Sequence, residues 1–196
     1  MKAFLYRACA IIFSHFVLYP DYRISFFIPL AFRFADYIGT LKKGLFVGSF
    51  FFGNVQGLEL FIREVLPHVD MQLVVVGRGM NRLKNNNPKV IIYDGVDSID
   101  SFYADADFVI APIISGGGMK VKIAEAMMHG KIIMGTPEAF QGYDAIPCSY
   151  VCEKANDFIQ AIKSLSGYSY NPCVREHFLK KYETNVILDD FKKILS

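Results

Sequence analysis

From Gly44 onward the chain alternates short apolar blocks with amphipathic stretches. Leu45–Val47, Leu73–Val76, Val90–Tyr93, Phe108–Ala111 and Ile132–Gly135 are compact apolar runs. Runs of this length, bounded by turn residues, predict strands buried on both faces. Between the first two, Asn54 is positioned to cap a helix from Val55 to about Leu66. Leu58, Phe61, Ile62 and Val65 share one face of it, and Pro67 lies beyond its end. A short helix is expected over Ile99–Ala104, and another over Met119–Met128, ended by Gly130. Ala155–Leu165 reads as helix, and residues 173–195 hold one or two more. Strands alternating with helices, without hairpin signals, predict an α/β fold, a doubly wound parallel sheet of Rossmann-like type. In such sheets ligands bind at the carboxyl ends of the strands. Gly48, Gly77, Gly95 and the loop from Gly116 all fall at those ends.

The segment Pro112-Ile-Ile-Ser-Gly-Gly-Gly-Met-Lys-Val-Lys-Ile-Ala-Glu125 carries the chemistry. Gly116, Gly117 and Gly118 lack a Cβ, so their amides can approach a ligand closely. A glycine loop feeding a helix N-terminus favours a phosphate, through unpaired N–H groups and the helix dipole. At 100° per residue, Gly118, Lys122 and Glu125 fall within an arc of roughly 60°, with Glu125 about 10 Å along the axis from Gly118. That offset suits a diphosphate at one end and a ribose at the other, because a carboxylate accepts from two vicinal hydroxyls. Val121, Ala124 and Met128 fall off this line and are expected to pack on the sheet. The competing reading is a glycine turn before an ordinary amphipathic helix.

Composition narrows the field. The 196 residues are 53% hydrophobic and 20% charged, which supports a folded domain rather than general disorder. A net charge of +2 with no dense basic run argues against a nucleic-acid partner. Cys9, Cys148, Cys152 and Cys173 are too scattered for a disulfide framework, and a reduced cytoplasmic setting is the default. Cys148, Cys152, Cys173 and His177 only faintly match a zinc spacing, so no metal is expected. Residues 1–43 are aromatic and apolar without strand punctuation. Lys2 and Arg7 precede an apolar run that His15 interrupts and no cleavage site follows, so a signal peptide is not expected. Asp21 and Arg23 break the run before it reaches a membrane span of about 20 residues.

In order along the chain stand Gly44-Leu-Phe-Val-Gly48, Asn54-x-x-Gly57-Leu58, Leu73-Val-Val-Val-Gly77, Gly95, Tyr103-Ala-Asp-Ala-Asp107, Pro112, the Gly116–Glu125 segment and Gly130. This ordered set resembles the C-terminal, donor-binding domain of GT-B glycosyltransferases, most closely retaining family four, glycosyl transferases group one. It covers about residues 44–195. The resemblance implies a nucleotide-diphospho-sugar donor, UDP- or GDP-linked, with no cofactor and no metal. It places Gly116, Gly118 and Met119 at the diphosphate or sugar, Glu125 at the ribose, and Tyr93 to Val96 at the base. Gly48, Ser49, Arg78 and Lys120 complete the donor set it implies. In that family protein donors, rather than a metal, stabilise the departing nucleotide diphosphate.

The sequence departs from the family pattern in three ways. Ser49 and Gln56 stand where two basic side chains are usual, so Arg78, Lys120 or Lys122 is expected to replace the charge, Lys122 being best placed. Gly117 stands where many members carry a catalytic glutamate; Lys122 and Gly117 are thus the positions that map onto catalysis. The resemblance also implies a preceding acceptor domain, for which residues 1–43 are too short. Residues 1–43 are expected to be its remnant, or a segment facing a partner chain or the inner face of a membrane, and residues 44–196 the nucleotide-sugar-binding domain. Three other readings compete: a non-catalytic or split-transferase subunit, a sugar-nucleotide epimerase, and a dinucleotide-dependent oxidoreductase using Gly77-Arg-Gly79. The last lacks the third glycine, since position 82 is Arg. Of the remaining candidates, His129 is expected to act as a cationic helix cap, and Asp105 and Asp107 to serve turns or caps rather than a metal.

Overall fold

In a computed structural model, residues 41–166 and 169–195 are described, the side chains near the C-terminus only in part. The expectations for residues 1–40 lie outside the described residues. Six strands form one sheet: β1 (Lys42–Val47), β2 (Met71–Val76), β3 (Val90–Tyr93), β4 (Phe108–Ala111), β5 (Ile132–Gly135) and β6 (Tyr150–Val151). Every neighbouring pair is parallel, in the order β3-β2-β1-β4-β5-β6. The order reverses between β1 and β4, which opens a crevice at their carboxyl ends. The helices are α1 (Phe52–Glu64), α2 (Asp100–Asp105), α3 (Val121–Met128), α4 (Ala155–Ser164), α5 (Pro172–Lys181) and α6 (Thr184–Leu195). Phe61 of α1 meets Phe158 of α4 edge to face at 5.5 Å, so these two cover one face of the sheet. Tyr103 of α2 reaches Glu125 of α3, so that pair covers the other.

The apolar blocks of β1, β2, β4 and β5 become strands because their cores are covered from both sides, whereas β3, at the sheet edge, is only partly buried. Phe108, Val109, Ile110 and Ala111 are all fully buried, as are Leu45, Phe46, Leu73, Val75 and Val76. β1 starts at Lys42 rather than Leu45. Its two lysines sit at the amino end of the strand, where Lys42 Nζ donates to the carbonyls of Ile162 and Leu165 at 2.8 Å each and so caps α4. Asp107 accepts from Lys43 N at 2.7 Å, and Asp105 pairs with Lys43 Nζ at 2.9 Å. Both aspartates therefore join β4 to β1, in line with a turn role.

Two expectations fail locally. The helix expected from Val55 begins at Phe52, with Phe51 as an N-cap whose side chain makes no capping bond. Asn54 lies inside its first turn, and its side chain is engaged elsewhere. In α3 the residues packed on the sheet are Ile123, Ala126 and Met127, whereas Val121 and Met128 are exposed. Helical spacing groups residues into faces but leaves open which face turns inward. The branched Ile123, with Ala126 and Met127, makes the flatter apolar surface against β4 and β5.

Two glycines on α1, one turn apart, decide how closely it sits. A Cβ on Gly53 would lie 2.3 Å from Ser115 O, and one on Gly57 would lie 1.5 Å from Pro112 O. The helix therefore packs backbone against backbone on the segment that leads from β4 into the glycine loop. Gly77 does the same between β2 and β1, where a Cβ would come 1.9 Å from Gly48 O.

Candidate functional site

The crevice between β1 and β4 has two walls. One is the turn Gly48–Phe51 and the start of α1. The other is the loop from Pro112 to Lys120 and the start of α3. No side chain caps the first turn of either helix, and neither first turn carries an acidic residue. Both positive helix ends thus face the strand termini where an anion would sit.

The glycine loop is braced before any ligand arrives. Lys120 Nζ donates to Gly118 O at 2.7 Å, to Gly116 O at 3.2 Å and to Glu138 Oε1 at 3.1 Å. An ammonium has three donors, so all three are used within the loop and its support. Lys120 therefore shapes the loop, and the charge at the crevice must come from another side chain. Thr136 Oγ1 donates to Ile113 O, and Tyr143 Oη donates to Lys120 O at 2.9 Å. Gly116 and Gly118 have φ of 138° and 70°, the region that favours glycine. A Cβ on Gly117 or Gly118 would meet nothing within 4 Å, so the loop borders open space. Met119 is half exposed and packs its side chain against Gly142.

Lys122 crosses the crevice. From the first turn of α3 its Nζ donates to Asn54 Oδ1 of α1 at 2.7 Å and lies 4.3 Å from the centre of the Phe46 ring. Asn54 Nδ2 in turn donates to Ser49 O at 2.9 Å. A Cβ on Gly48 would come 2.8 Å from the Lys122 Nζ and 2.9 Å from Asn54 Nδ2. Gly48, Ser49, Asn54 and Lys122 thus form one constellation at the switch point. Burial pulls the Lys122 ammonium down to about 7, against a rise from the Glu125 carboxylate and a further lowering from Lys120. An ammonium that poorly solvated is primed for an anion.

One turn along α3, Glu125 Oε2 accepts from Tyr103 Oη at 3.2 Å. Lys122 and Glu125 are therefore brought to one side of α3, as their spacing predicts. Of the remaining candidates, Tyr93 is exposed at the end of β3 and packs edge to face with Phe102 at 4.8 Å. Val96 is partly buried just beyond it, and Arg78 is exposed after β2. These three rim the neighbouring strand ends.

Sequence reasoning missed Asn54 as a site residue, because an asparagine before an apolar run reads first as a cap. His129 also departs from expectation. It does end α3, its amide donating to Glu125 O, but its ring stacks on Tyr103 at 4.6 Å and burial lowers its basicity. Its ring serves as an aromatic partner of Tyr103, with Nε2 3.3 Å from Asp100 Oδ1, rather than as a cap on the helix carbonyls. The segment after Gly79 forms only a three-residue 3-10 turn, Met80–Arg82. A dinucleotide phosphate loop there would lack its helix. Cys152 is buried, its thiol pushed up to about 12 by desolvation. Among the described residues no three His, Cys, Asp or Glu side chains gather as a metal ion would require. A pocket of about 290 Å³ lies on the α1/α4 side, lined by Leu60, Pro112, Ile114, Thr136 and Phe158 among others, and includes neither Lys122 nor Glu125. Among the described residues no helix is long and apolar enough to cross a membrane.

Several known proteins are similar to this chain. A protein of the cps region of Klebsiella pneumoniae, described as uncharacterized, is 28% identical over 144 residues, 65% of this chain and 37% of that protein. A glycosyltransferase from Rickettsia africae superposes with a TM-score of 0.63 at 16% identity, over 89% of this chain and 52% of that one. WaaG, a glycosyltransferase of lipopolysaccharide biosynthesis, superposes at 0.54 with 15% identity, over 80% of this chain and 47% of that one. The chain thus spans about half the length of these structures, and less of the Klebsiella protein. The structural neighbours are GT-B glycosyltransferases and establish the fold. The family model of glycosyl transferases group 1 matches residues 42–167, from the first strand to beyond α4, and the chain belongs to that family.

Proposed function

We propose that this chain is the donor-binding half of a retaining glycosyltransferase. It binds a nucleotide-diphospho-sugar, UDP- or GDP-linked, for transfer of the sugar to a glycan or lipid-linked acceptor. The observation that carries the reading is the Lys122–Asn54 bridge across the switch point, beside two uncapped helix ends. Leaving of the sugar builds negative charge on the nucleotide diphosphate. Lys122, the amides of the glycine loop and the two helix dipoles are pre-set around the space where that charge develops. Lys122 takes the place of the basic pair that Ser49 and Gln56 do not supply. Glu125 accepts the ribose hydroxyls, and the exposed Tyr93 offers a ring face for the base.

The half-length coverage of the relatives supports an acceptor site on a second domain or a partner chain. Transfer therefore needs that half, while donor binding does not. The Klebsiella relative's cps region and the lipopolysaccharide role of WaaG support surface-glycan assembly as the setting.

A thermal-shift panel of the purified chain tests the reading. UDP, GDP, ADP and their sugars are compared with nicotinamide dinucleotides. A selective rise in melting temperature with one nucleoside diphosphate is expected, because a ligand that binds only the folded state stabilises it. No shift with any of them, in a folded sample, contradicts the proposal. Glu125→Ala is expected to weaken binding of the selected diphosphate about ten-fold, the worth of a charge-assisted hydrogen-bond pair that is partly replaced by water. Calorimetry showing unchanged affinity removes Glu125 from the ribose site.

A further inference from the structure

We propose that Tyr103 is a positioning residue for nucleotide recognition, holding the Glu125 carboxylate in the orientation that receives the ribose. This rests on the reading of Glu125 as the ribose acceptor. Tyr103 is fully buried, and it is the buried residue of α2. A hydroxyl so placed cannot reach water and must donate to protein. Its oxygen lies 3.2 Å from Glu125 Oε2 and 3.5 Å from the Lys122 carbonyl, so the carboxylate is the nearer acceptor.

The ring has little freedom to move. His129 stacks on it with centroids 4.6 Å apart and planes 4° apart. His129 Nε2 lies 3.3 Å from Asp100 Oδ1, on the same helix as Tyr103. Burial lowers the basicity of that imidazole, against a rise from the Asp100 carboxylate. Burial and the Glu125 charge both raise the phenol's pKa, so Tyr103 stays a donor throughout the working range.

A glutamate on a helix surface has three rotatable bonds, and ordering it on ligand binding costs entropy. Tyr103 removes part of that cost in advance. It occupies one lone-pair direction on Oε2 and leaves Oε1 for the vicinal hydroxyls. Asp100, His129, Tyr103 and Glu125 thus form a relay of contacts from the outer surface of α2 to the ribose position.

Tyr103→Phe tests this, since it keeps the ring, the stack on His129 and the packing. The probes are UDP and 2′,3′-dideoxy-UDP, with the guanosine pair in parallel, titrated calorimetrically into the full chain. Wild type is expected to prefer the ribonucleotide. Tyr103→Phe should lose about five-fold in affinity for it while binding the dideoxy nucleotide as wild type does. In a double-mutant cycle, Tyr103→Phe in a Glu125→Ala background should have no further effect. Equal loss for both nucleotides, or undiminished preference for the ribonucleotide, overturns the positioning role. If Glu125→Ala itself leaves the preference intact, the ribose reading fails, and the Tyr103 proposal fails with it. A loss in Glu125→Ala without one in Tyr103→Phe sinks only the latter. Should Tyr103→Phe melt much lower, the cycle is read at reduced temperature on folded protein, where a purely structural defect would weaken both nucleotides alike.

Discussion

Gly57→Ala should destabilise this protein by about 3 kcal/mol and lower its melting temperature by roughly 10 °C. In a typical helix the same change is favourable by about 1 kcal/mol. Here the added methyl would stand 1.5 Å from the carbonyl oxygen of Pro112. Neither group can step aside cheaply: one belongs to the backbone leaving a central strand and the other to a helix clamped by Phe61 against Phe158. The helix must lift, and because Asn54 lies one turn earlier, its bond to Lys122 lengthens with it. Nucleotide affinity should therefore fall together with stability. Gly117→Ala is the internal control. A Cβ there meets nothing within 4 Å and φ is not in the left-handed region, so the melting temperature should stay within about 2 °C. A calorimetric melt showing Gly57→Ala unchanged would mean that α1 is free to slide on the Pro112 segment, and that the crevice is not rigidly built.

Lys122→Met should weaken nucleoside diphosphate binding by about 50-fold, in line with the loss of charge-assisted hydrogen bonds to phosphate. The unbranched Met keeps packing over Phe46. The empty protein should melt a few degrees higher, because the fold holds an ammonium that burial disfavours. The sign follows from linkage. The unfolded lysine titrates near 10.5 and the folded one near 7, so between these values the unfolded state binds more protons and stability rises with pH. The penalty of keeping Lys122 charged is full below pH 7, and there the Met variant gains most. For ligand binding the sign reverses. A bound diphosphate needs the ammonium, so wild-type affinity should fall as pH rises above about 7, with proton uptake on binding. The Met variant should lack this dependence. Calorimetric titrations at pH 6.5 and pH 8.5 read both effects, and a pH-independent wild type would remove Lys122 from the phosphate site.

The layout of the sheet was legible because β3, β4 and β5 are short apolar runs with turn residues at both ends, and such runs have few other ways to be buried. β6 was not legible: two residues, Tyr150–Val151, carry no periodicity. The start of α1 is misplaced because Asn54 before an apolar run reads as a cap, while in the structure the missing side chain of Gly53 lets the helix begin so near Ser115. The glycine loop and the Lys122–Glu125 face could be read from spacing alone. The same spacing favours Lys122 over Lys120 and Arg78 as the charge at the crevice, and the fold adds the physical reason: Lys120 is consumed by loop carbonyls while Lys122 reaches across to Asn54. Tyr103 was visible only as part of a motif, since its partner lies 22 residues away.

The proposed nucleoside diphosphate site, formed by Lys122 and Glu125 at the β1/β4 switch point, is tested most directly by calorimetric titration of the diphosphate selected by thermal shift into wild type, Lys122→Met and Glu125→Ala in parallel. One bound nucleotide per wild-type chain is expected, with weaker binding in both variants and the larger loss in Lys122→Met. Wild-type binding that neither substitution changes would place the nucleotide elsewhere on the fold and contradict the claim.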